Sequence, residues 1–450
     1  MGCSEAAMDA PDSLDQEEQH LNANHLGDIS CTTFNILAPI YKRLNSERRE
    51  SDFREYWLSR NECILERLLH LKSSIICLQE FWVGNEELVG MYEKRLTDAG
   101  YVTYKLARTN NRGDGLLTAV HQNHFQVLNY KELLFNDFGD RVAQILHVKL
   151  VVHFSQKRSV DIEKEALIVN THLLFPHNSS FCFPRLQQVY KILQYIRSYC
   201  EECQIPPVPI ILCGDWNGSK KGHVYKFLRS QGFVSSYDIA HHYTDSDEDA
   251  HKWVSHLNHR GNLCGVDFIW LYNPNNHRKP MNQSFMEAVL GNIKSHLFKV
   301  SIEGTESLHL LKTSQKVRSY ITYSQFSQTL TELGIPSHPL YGCSIEEIKA
   351  LWDHVDTDRD GVIDFSHLDQ SQRTLNLHQL FWQREEDSEE PAWRETLPNI
   401  SNNATTIGFN VKNAFLFPPE VERGIWPENY SLSDHAHLTV EFSLVRLQCY

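Results

Sequence analysis

Six times along this chain a short apolar run begins or ends on an amide, a carboxylate or an imidazole. The stretches are Thr33-Phe34-Asn35-Ile36-Leu37, Cys77-Leu78-Gln79-Glu80, Asn170-Thr171-His172-Leu173, Cys213-Gly214-Asp215-Trp216-Asn217, Gly265-Val266-Asp267-Phe268-Ile269 and Ser433-Asp434-His435. Short apolar runs bounded in this way read as buried strands. In layered α/β domains the ends of such strands are where functional groups gather on a rigid support. One Asp after a strand is ordinarily a turn or a helix cap. Together the six stretches supply a hard, oxygen-rich set with two imidazoles.

The text around them alternates two periodicities. Strands are predicted at Ile29–Leu37, Ile75–Leu78, Gly115–Val120, Val142–Val152, Leu167–Val169, Pro209–Leu212, Val266–Trp270, Phe409–Phe417 and Leu438–Leu444. Leu58, Ile64, Leu65, Leu68 and Leu69 fall at helical spacing. Arg185–Ile196 reads as a second helix, and Val224–Leu228 opens a third. Strands separated both by helices and by direct turns predict an α/β fold with mixed sheets. Residues 276–407 break this rhythm. They are mostly helical in pattern, with charged loops such as Glu385-Glu386-Asp387-Ser388-Glu389-Glu390. A helical insertion is therefore expected to divide the α/β domain into 29–275 and 408–450. Residues 1–28 carry seven acidic side chains and no Lys or Arg, and read as a solvated tail.

Several classes are excluded. No run of about 18 apolar residues exists, so no transmembrane span is expected. The tail lacks the cationic and apolar parts of a secretory signal. Its start, Met1-Gly2-Cys3-Ser4, is similar to an acylation signal, with Ala6 where Ser or Thr is wanted. One acyl chain there would anchor the chain to a membrane only weakly. Eleven cysteines are an odd number and too few for a disulfide scaffold of 450 residues. Cys77 and Cys213 sit in apolar runs and read as buried thiols. Cys200 and Cys203 have no second pair with which to bind zinc. A reducing compartment, cytoplasmic or nuclear, is the expectation. A net charge of −14 argues against a wide basic face for duplex nucleic acid, though not against a small cationic or metal-lined cleft.

The polar set suits divalent-metal phosphate chemistry. Mg²⁺ (or Mn²⁺) takes carboxylate oxygens together with waters and substrate phosphates. A bound ion can polarise a phosphoryl oxygen and lower the pKa of water. An Asp set against a His fixes the tautomer and supports the imidazolium. No HExxH zinc motif, Walker loop or Ser nucleophile elbow is present.

In this order the motifs resemble the endonuclease/exonuclease/phosphatase superfamily, over roughly residues 29–275 and 408–450. The resemblance implies the DNase-I-like fold, a four-layer α/β sandwich of two mixed β-sheets flanked by helices, with the site at one edge of the sheets. It also implies roles. Asn35 would help position metal and phosphate. Glu80 would be the principal Mg²⁺ ligand, with Asp434 completing the site. His172 would contact the scissile phosphate. Asp215 would orient or deprotonate the attacking water, and Asn217 would steady the transition state. Asp267 would orient His435, which faces the phosphate. The stretches Asn170–Phe175, Gly214–Ser219 and Ser433–Leu438 look most like the deadenylase branch, which implies RNA 3′ ends as substrate. The acidic net charge keeps open a small phosphorylated metabolite, nucleotide or lipid headgroup instead, because RNA grooves usually carry a basic track. Arg112, Arg185, Trp253 and His256 are expected as substrate contacts.

Within the insertion, Asp356-Thr357-Asp358-Arg359-Asp360-Gly361-Val362-Ile363-Asp364 reads as an EF-hand loop. Asp356, Asp358 and Asp360 take the first, third and fifth positions. Gly361 allows the sharp turn, Val362 offers its carbonyl and Asp364 takes the ninth position. His367 stands where the pattern wants a bidentate Glu, so weak Ca²⁺ binding is expected. Ile321–Phe326 looks like the end of a first hand without ligands. The combination resembles plant members of the superfamily described as calcium-binding. A non-catalytic, calcium-responsive adaptor is the alternative, disfavoured because no core polar position is lost; the insertion is expected to tune activity rather than perform it.

Overall fold

The computed structural model describes residues 28–448, except 138, 152–163, 176–181, 247–251 and, in the insertion, 282, 286, 289–290, 293–319, 333–348, 350–351, 354–355, 357–358 and 365–404. The acylation signal, Asp358 and His367 lie outside the described residues. The strands are β1 (Asp28–Asn35), β2 (Ile75–Phe81), β3 (Tyr101–Ala107), β4 (Gly115–His121), β5 (Phe125–Leu134), β6 (Val142–Leu150), β7 (Glu165–His172), β8 (Ile210–Asp215), β9 (Val234–Ser235), β10 (His256–Leu257), β11 (Leu263–Cys264), β12 (Asp267–Tyr272), β13 (Tyr320–Thr322), β14 (Val362–Asp364), β15 (Thr405–Phe417) and β16 (His437–Gln448). The helices are α1 (Arg54–Leu71), α2 (Glu86–Asp98), α3 (Cys182–Glu202), α4 (His223–Ser230), α5 (Ser236–Ala240) and α6 (Tyr323–Glu332).

Two six-stranded sheets form the body, in the orders β15-β16-β1-β2-β4-β3 and β5-β6-β7-β8-β12-β9. Both are mixed: β1 and β2 run parallel, as do β7 and β8, among otherwise antiparallel neighbours. The period-two alternation of a strand explains the layers. Along β2, Ile75 and Cys77 enter the core shared with the second sheet. Ile76 and Leu78 point the other way, onto Ile64, Leu65 and Leu68 of α1 and Tyr92 and Leu96 of α2. Leu186, Val189, Ile192 and Ile196 of α3, with Val224, Phe227 and Leu228 of α4, belong to the core of the second sheet. The result is the predicted sandwich of two mixed sheets flanked by helices. Among the described residues, no helix is long and apolar enough to cross a membrane.

Among the longer elements, β3, β5 and α2 fall outside the predicted ones, as do the short β9, β10, β11 and α5. β3 and β5 are edge strands whose outer residues are part-exposed, so neither is a continuous apolar run. α2 starts on Asn85, whose side chain accepts from the Leu88 N–H at 2.9 Å.

The pairing directions bring the polar strand ends together. Parallel pairing sets Asn35 level with Gln79, and His172 level with Asp215. Antiparallel β12 puts Asp267 opposite Asp215. Gly214 is obligatory between them. A Cβ there would lie 1.9 Å from the Thr171 carbonyl oxygen. Gly214→Ala is expected to push β7 and β8 apart and cost more than about 2 kcal/mol. Urea unfolding reads this directly; a loss under 0.5 kcal/mol, on the order of an ordinary surface change, would contradict the close approach.

Between residues 276 and 407, β13 and β14 form an antiparallel ladder with Ile321 opposite Ile363. The Trp352 ring packs on Tyr323 and Phe326, with centroids 5.5 and 5.6 Å apart.

Candidate active site

Glu80 reaches the site through a β-bulge. Gln79 faces Leu116 and Phe81 faces Gly115, so Glu80 is the extra residue, with φ +53°. A bulge re-aims a side chain, and a strained non-glycine φ marks a position held by its surroundings. Asn35 ties the two sheets together at this point. Its Nδ2 donates to Glu80 Oε1 at 3.3 Å and to Asp215 Oδ2 at 3.1 Å. The Ala38 N–H donates to Glu80 Oε2 at 3.3 Å.

On the second sheet, Asp215 lies between two imidazoles. His172 Nε2 is 3.3 Å and His435 Nε2 3.7 Å from Asp215 Oδ2. The Asn217 N–H donates to Asp215 Oδ1 at 2.8 Å, and its side-chain amide reaches His172 Nε2 at 3.0 Å and the Leu173 carbonyl at 3.0 Å. His435 Nδ1 bonds Asp267 Oδ2 at 2.9 Å. The same carboxylate oxygen accepts from the Ser255 hydroxyl at 2.6 Å, and Asp267 is fully buried. The loop carrying Asp434 and His435 is fixed by backbone bonds to the β10 segment, Leu257 N to Asp434 O at 2.9 Å and Ala436 N to Ser255 O at 2.7 Å. The His256 ring stacks on His435 with centroids 4.0 Å apart and planes 10° from parallel, and its Nε2 is 3.8 Å from Asp434 Oδ2.

The two imidazoles are held in opposite states. Burial works against a charged His435, but the Asp267 and Asp215 carboxylates outweigh it and hold the imidazolium well above the usual range. Burial, with the cations Arg141 and Arg108, pushes His172 well below it. A neutral His172 that accepts from Asn217 at Nε2 carries its proton on Nδ1. Burial, then Asp434 and Asp114, raise Glu80 to about 7. Burial and Asp267 raise Asp215 against the pull of His435. Asp434 is lowered despite its burial, by His256 close beside it and by the charge of His435.

This donor set fits a divalent cation. Among the described residues no Lys or Arg makes an ion pair with Glu80, Asp215 or Asp434, and repulsion from Asp434 and Asp114 adds to burial in lifting Glu80. A hard cation relieves that repulsion and prefers carboxylate oxygens.

Four further residues shape the site and were not singled out by sequence reasoning. Ser255 orients Asp267 and accepts from the Val266 and Asp267 N–H groups at 3.0 and 3.1 Å. Tyr41 donates to Asp114 at 2.6 Å, and Arg108 pairs with Asp114 at 3.0 Å. Arg141 is buried, its Nε and Nη1 make no hydrogen bond, and it lines a crevice with Arg108, Asp114 and His172. The only sequence signal for Arg141 is its place at the head of β6, which becomes informative once β6 is known to pair with β7.

Among the expected substrate contacts, His256 is part of the cluster. Two others are corrected. Trp253 is 3% exposed and packs on Tyr237 and Phe268, so it is a core residue rather than a cleft wall. Arg185 is buried and donates to the Asn217 carbonyl, holding that loop from behind. Arg112 is exposed on the β3–β4 turn and pairs with Asp140 at 2.6 Å.

The model of the Endonuclease/Exonuclease/phosphatase family matches residues 32–282. An Arabidopsis thaliana protein named as an uncharacterized calcium-binding protein is 54% identical over 94% of this chain and 85% of its own length. Carbon catabolite repressor protein 4 homolog 3 of Arabidopsis thaliana is 31% identical over 39% of this chain, which spans 36% of that protein. Among solved structures, the human Nocturnin catalytic domain with bound sulfate is 21% identical, with a TM-score of 0.39 over 54% of this chain and 82% of that one. ANGEL2, a 2′,3′-cyclic phosphatase, is 18% identical, with a TM-score of 0.41 over 55% and 83%. With more than half of its length matched by the family model, and a relative of more than 50% identity over nearly all of it, this chain belongs to the endonuclease/exonuclease/phosphatase family, enzymes that hydrolyse phosphoric esters.

Proposed function

We propose that the chain is a Mg²⁺-dependent phosphodiesterase acting on RNA 3′ ends, with a calcium-binding EF-hand insertion. The observation that carries the chemistry is the single cluster of Asn35, Glu80, His172, Asp215, Asn217, Asp267, Asp434 and His435 at one sheet edge. Glu80 and Asp434 would hold the cation, which when bound polarises a phosphoryl oxygen and offsets its charge. His435, kept cationic by Asp267, faces negative charge that develops on the phosphate. Asp215, with its raised pKa, accepts a proton from water more readily than an ordinary carboxylate does. Asn35 and Asn217 hold Asp215 from two sides, and neutral His172 beside it adds no positive charge that would hold Asp215 ionised.

RNA is favoured by the names of relatives that share parts of the chain. One is the CCR4-Not complex 3′-5′-exoribonuclease subunit Ccr4 of Debaryomyces hansenii, 22% identical over 58% of this chain. The calcium reading is supported by the loop geometry. Gly361 takes φ +80° and its N–H donates to Asp356 Oδ2 at 3.2 Å, while the Val362 N–H donates to Asp360 Oδ1 at 2.9 Å. The ladder between β13 and β14 is the pairing expected beside such a loop.

The test is hydrolysis, with Mg²⁺, of 3′-labelled oligo(A), a nucleotide panel and inositol or lipid phosphates, each with Ca²⁺ or a calcium chelator. Release from the 3′ end of oligo(A), with a KM that rises steeply with salt, is the expected result. Cleavage of a small ester alone, with a shallow salt dependence, would keep the chemistry and overturn RNA as the substrate.

A further inference from the structure

After Asn35 the chain leaves β1 at the catalytic edge and doubles back over residues 42–50 as a small hairpin. The Glu50 N–H donates to the Lys42 carbonyl at 2.9 Å and the Leu44 N–H to the Arg48 carbonyl at 3.0 Å. Arg43 and Arg49 are bridged directly opposite each other. The Asn45 side chain closes the tip, accepting from the Glu47 and Arg48 N–H groups at 2.9 and 2.8 Å. The base is tied to the site. Lys42 Nζ donates to the Ser431 carbonyl at 2.8 Å. Buried Arg60 pairs with Glu50 at 2.6 Å and donates to the Ile36 and Leu432 carbonyls, both at 2.7 Å. One guanidinium thus fixes the hairpin to the segments that carry Asn35 and Asp434.

The whole chain has a net charge of −14, yet residues 42–49 hold four cations against the single anion Glu47. Arg43, Arg48 and Arg49 are exposed, and among the described residues no carboxylate pairs with their guanidinium groups. Like charges directly opposite each other destabilise a ladder. Facing Arg43 and Arg49 therefore cost stability that an anion between them restores. Beside them is an aromatic face. Arg48 lies over the Phe53 ring, 5.7 Å from its centroid, and the Phe53 and Tyr56 rings are 5.5 Å apart. Tyr56, on the first turn of α1, is 56% exposed.

We propose that Arg43, Arg48 and Arg49, with Tyr56, hold the phosphate backbone and a base of single-stranded RNA on the 5′ side of the bond that is cut. This rests on the reading of RNA 3′ ends as substrate and names the groups that grip the strand. Single-strand sites join a narrow cationic track to aromatic faces on which bases stack, and this hairpin supplies both. Arginine forks match phosphate oxygens. Cleavage at a 3′ end leaves the rest of the strand on the 5′ side, so a grip beside the metal-binding carboxylates meets phosphates that the chemistry does not use. The exposed Leu44 at the tip would also suit a lipid surface, so vesicles form a second arm of the test.

The full-length chain is compared with Arg43→Gln/Arg48→Gln/Arg49→Gln and with Tyr56→Ala on 3′-labelled oligo(A) of about 20 nucleotides, with Mg²⁺ and across a salt series. The triple variant should raise KM about tenfold or more and reduce the slope of log KM against log salt by about 2, with kcat within about twofold of the parent. Tyr56→Ala should raise KM about fivefold or more and leave the salt slope as it is. A triple variant with the parent's KM and salt slope overturns the proposal, as does one that loses kcat with KM unchanged. Loss of binding to phosphatidylserine vesicles, with oligo(A) affinity kept, would make the hairpin a membrane contact and overturns it too. Should the triple variant fail to fold, Arg43→Gln/Arg48→Gln is read in its place, with KM raised about threefold or more. A parent that leaves oligo(A) uncleaved overturns the RNA reading and this proposal together; a parent that cleaves it with a KM independent of the hairpin overturns this proposal alone.

Discussion

Glu80→Gln is expected to lower turnover by about 10³-fold or more while leaving the fold intact. Gln keeps the length of the side chain, and its carbonyl can still accept from Asn35, which now donates to Glu80 Oε1 at 3.3 Å. What it loses is the negative charge that would hold the cation, and a lost metal ligand outweighs the 10- to 100-fold effects typical of residues behind the ligands. The variant also has a pH signature. Glu80 is raised to about 7 by burial and by Asp434 and Asp114. The folded chain therefore keeps a proton that the unfolded chain releases in the ordinary carboxylate range. Without a divalent ion, stability contributed by this group is present at low pH and is lost as pH rises through about 7. A divalent cation favours the deprotonated form, so stabilisation by Mg²⁺ should grow as pH rises through the same value. Glu80→Gln should remove both dependences, and above pH 7 without metal it should melt higher than the parent. Melting curves at pH 5.5 and 8, each with and without Mg²⁺, read the two effects. A variant that keeps half its turnover removes Glu80 from the metal site.

The polar cluster was legible because each of its members is announced locally. Asn35, Glu80, His172, Asp215, Asp267 and His435 each stand at or beside the end of a short apolar run, and a strand end is recognisable from a few residues. Their meeting depends on parallel pairing of β1 with β2 and of β7 with β8, which follows from the overall fold rather than from any one motif. Features set only by pairing were not legible. Ser255 acts on Asp267 because the β10–β11 hairpin folds the chain back so that Ser255 meets the head of β12, and Arg141 approaches His172 because β6 pairs with β7. Trp253 sits in a polar stretch and reads as a cleft residue, yet its indole is covered by Tyr237 and Phe268. The edge strands β3 and β5 escaped because one side of each is open, which breaks the apolar run that identifies central strands.

Asp267→Asn is expected to reduce turnover by about 10²- to 10⁴-fold and to move the alkaline limb of the pH profile to lower pH. Asp267 is fully buried and carries the hydrogen bond from His435 Nδ1 at 2.9 Å and the bond from Ser255 at 2.6 Å. Asn has the same shape, so both partners keep an oxygen to bond to; the charge is what disappears. Replacing such a carboxylate behind a catalytic His in serine proteases costs about 10⁴-fold, which sets the upper end. In this chain the Asp267 and Asp215 carboxylates hold His435 cationic against burial. With Asp267 neutral, Asp215, 3.7 Å from His435 Nε2, and the weaker pull of Asp434 are left to oppose burial, so the imidazolium loses its proton at lower pH. If cationic His435 serves the phosphate, activity in the variant falls at a lower pH than in the parent and is partly restored by assaying in acid. If His435 serves as a neutral base, the acid limb moves to lower pH instead, and the variant's activity falls as the assay is made acidic. Which limb of the kcat profile moves thus separates the two roles, and an unchanged profile would show that Asp267 acts on packing alone.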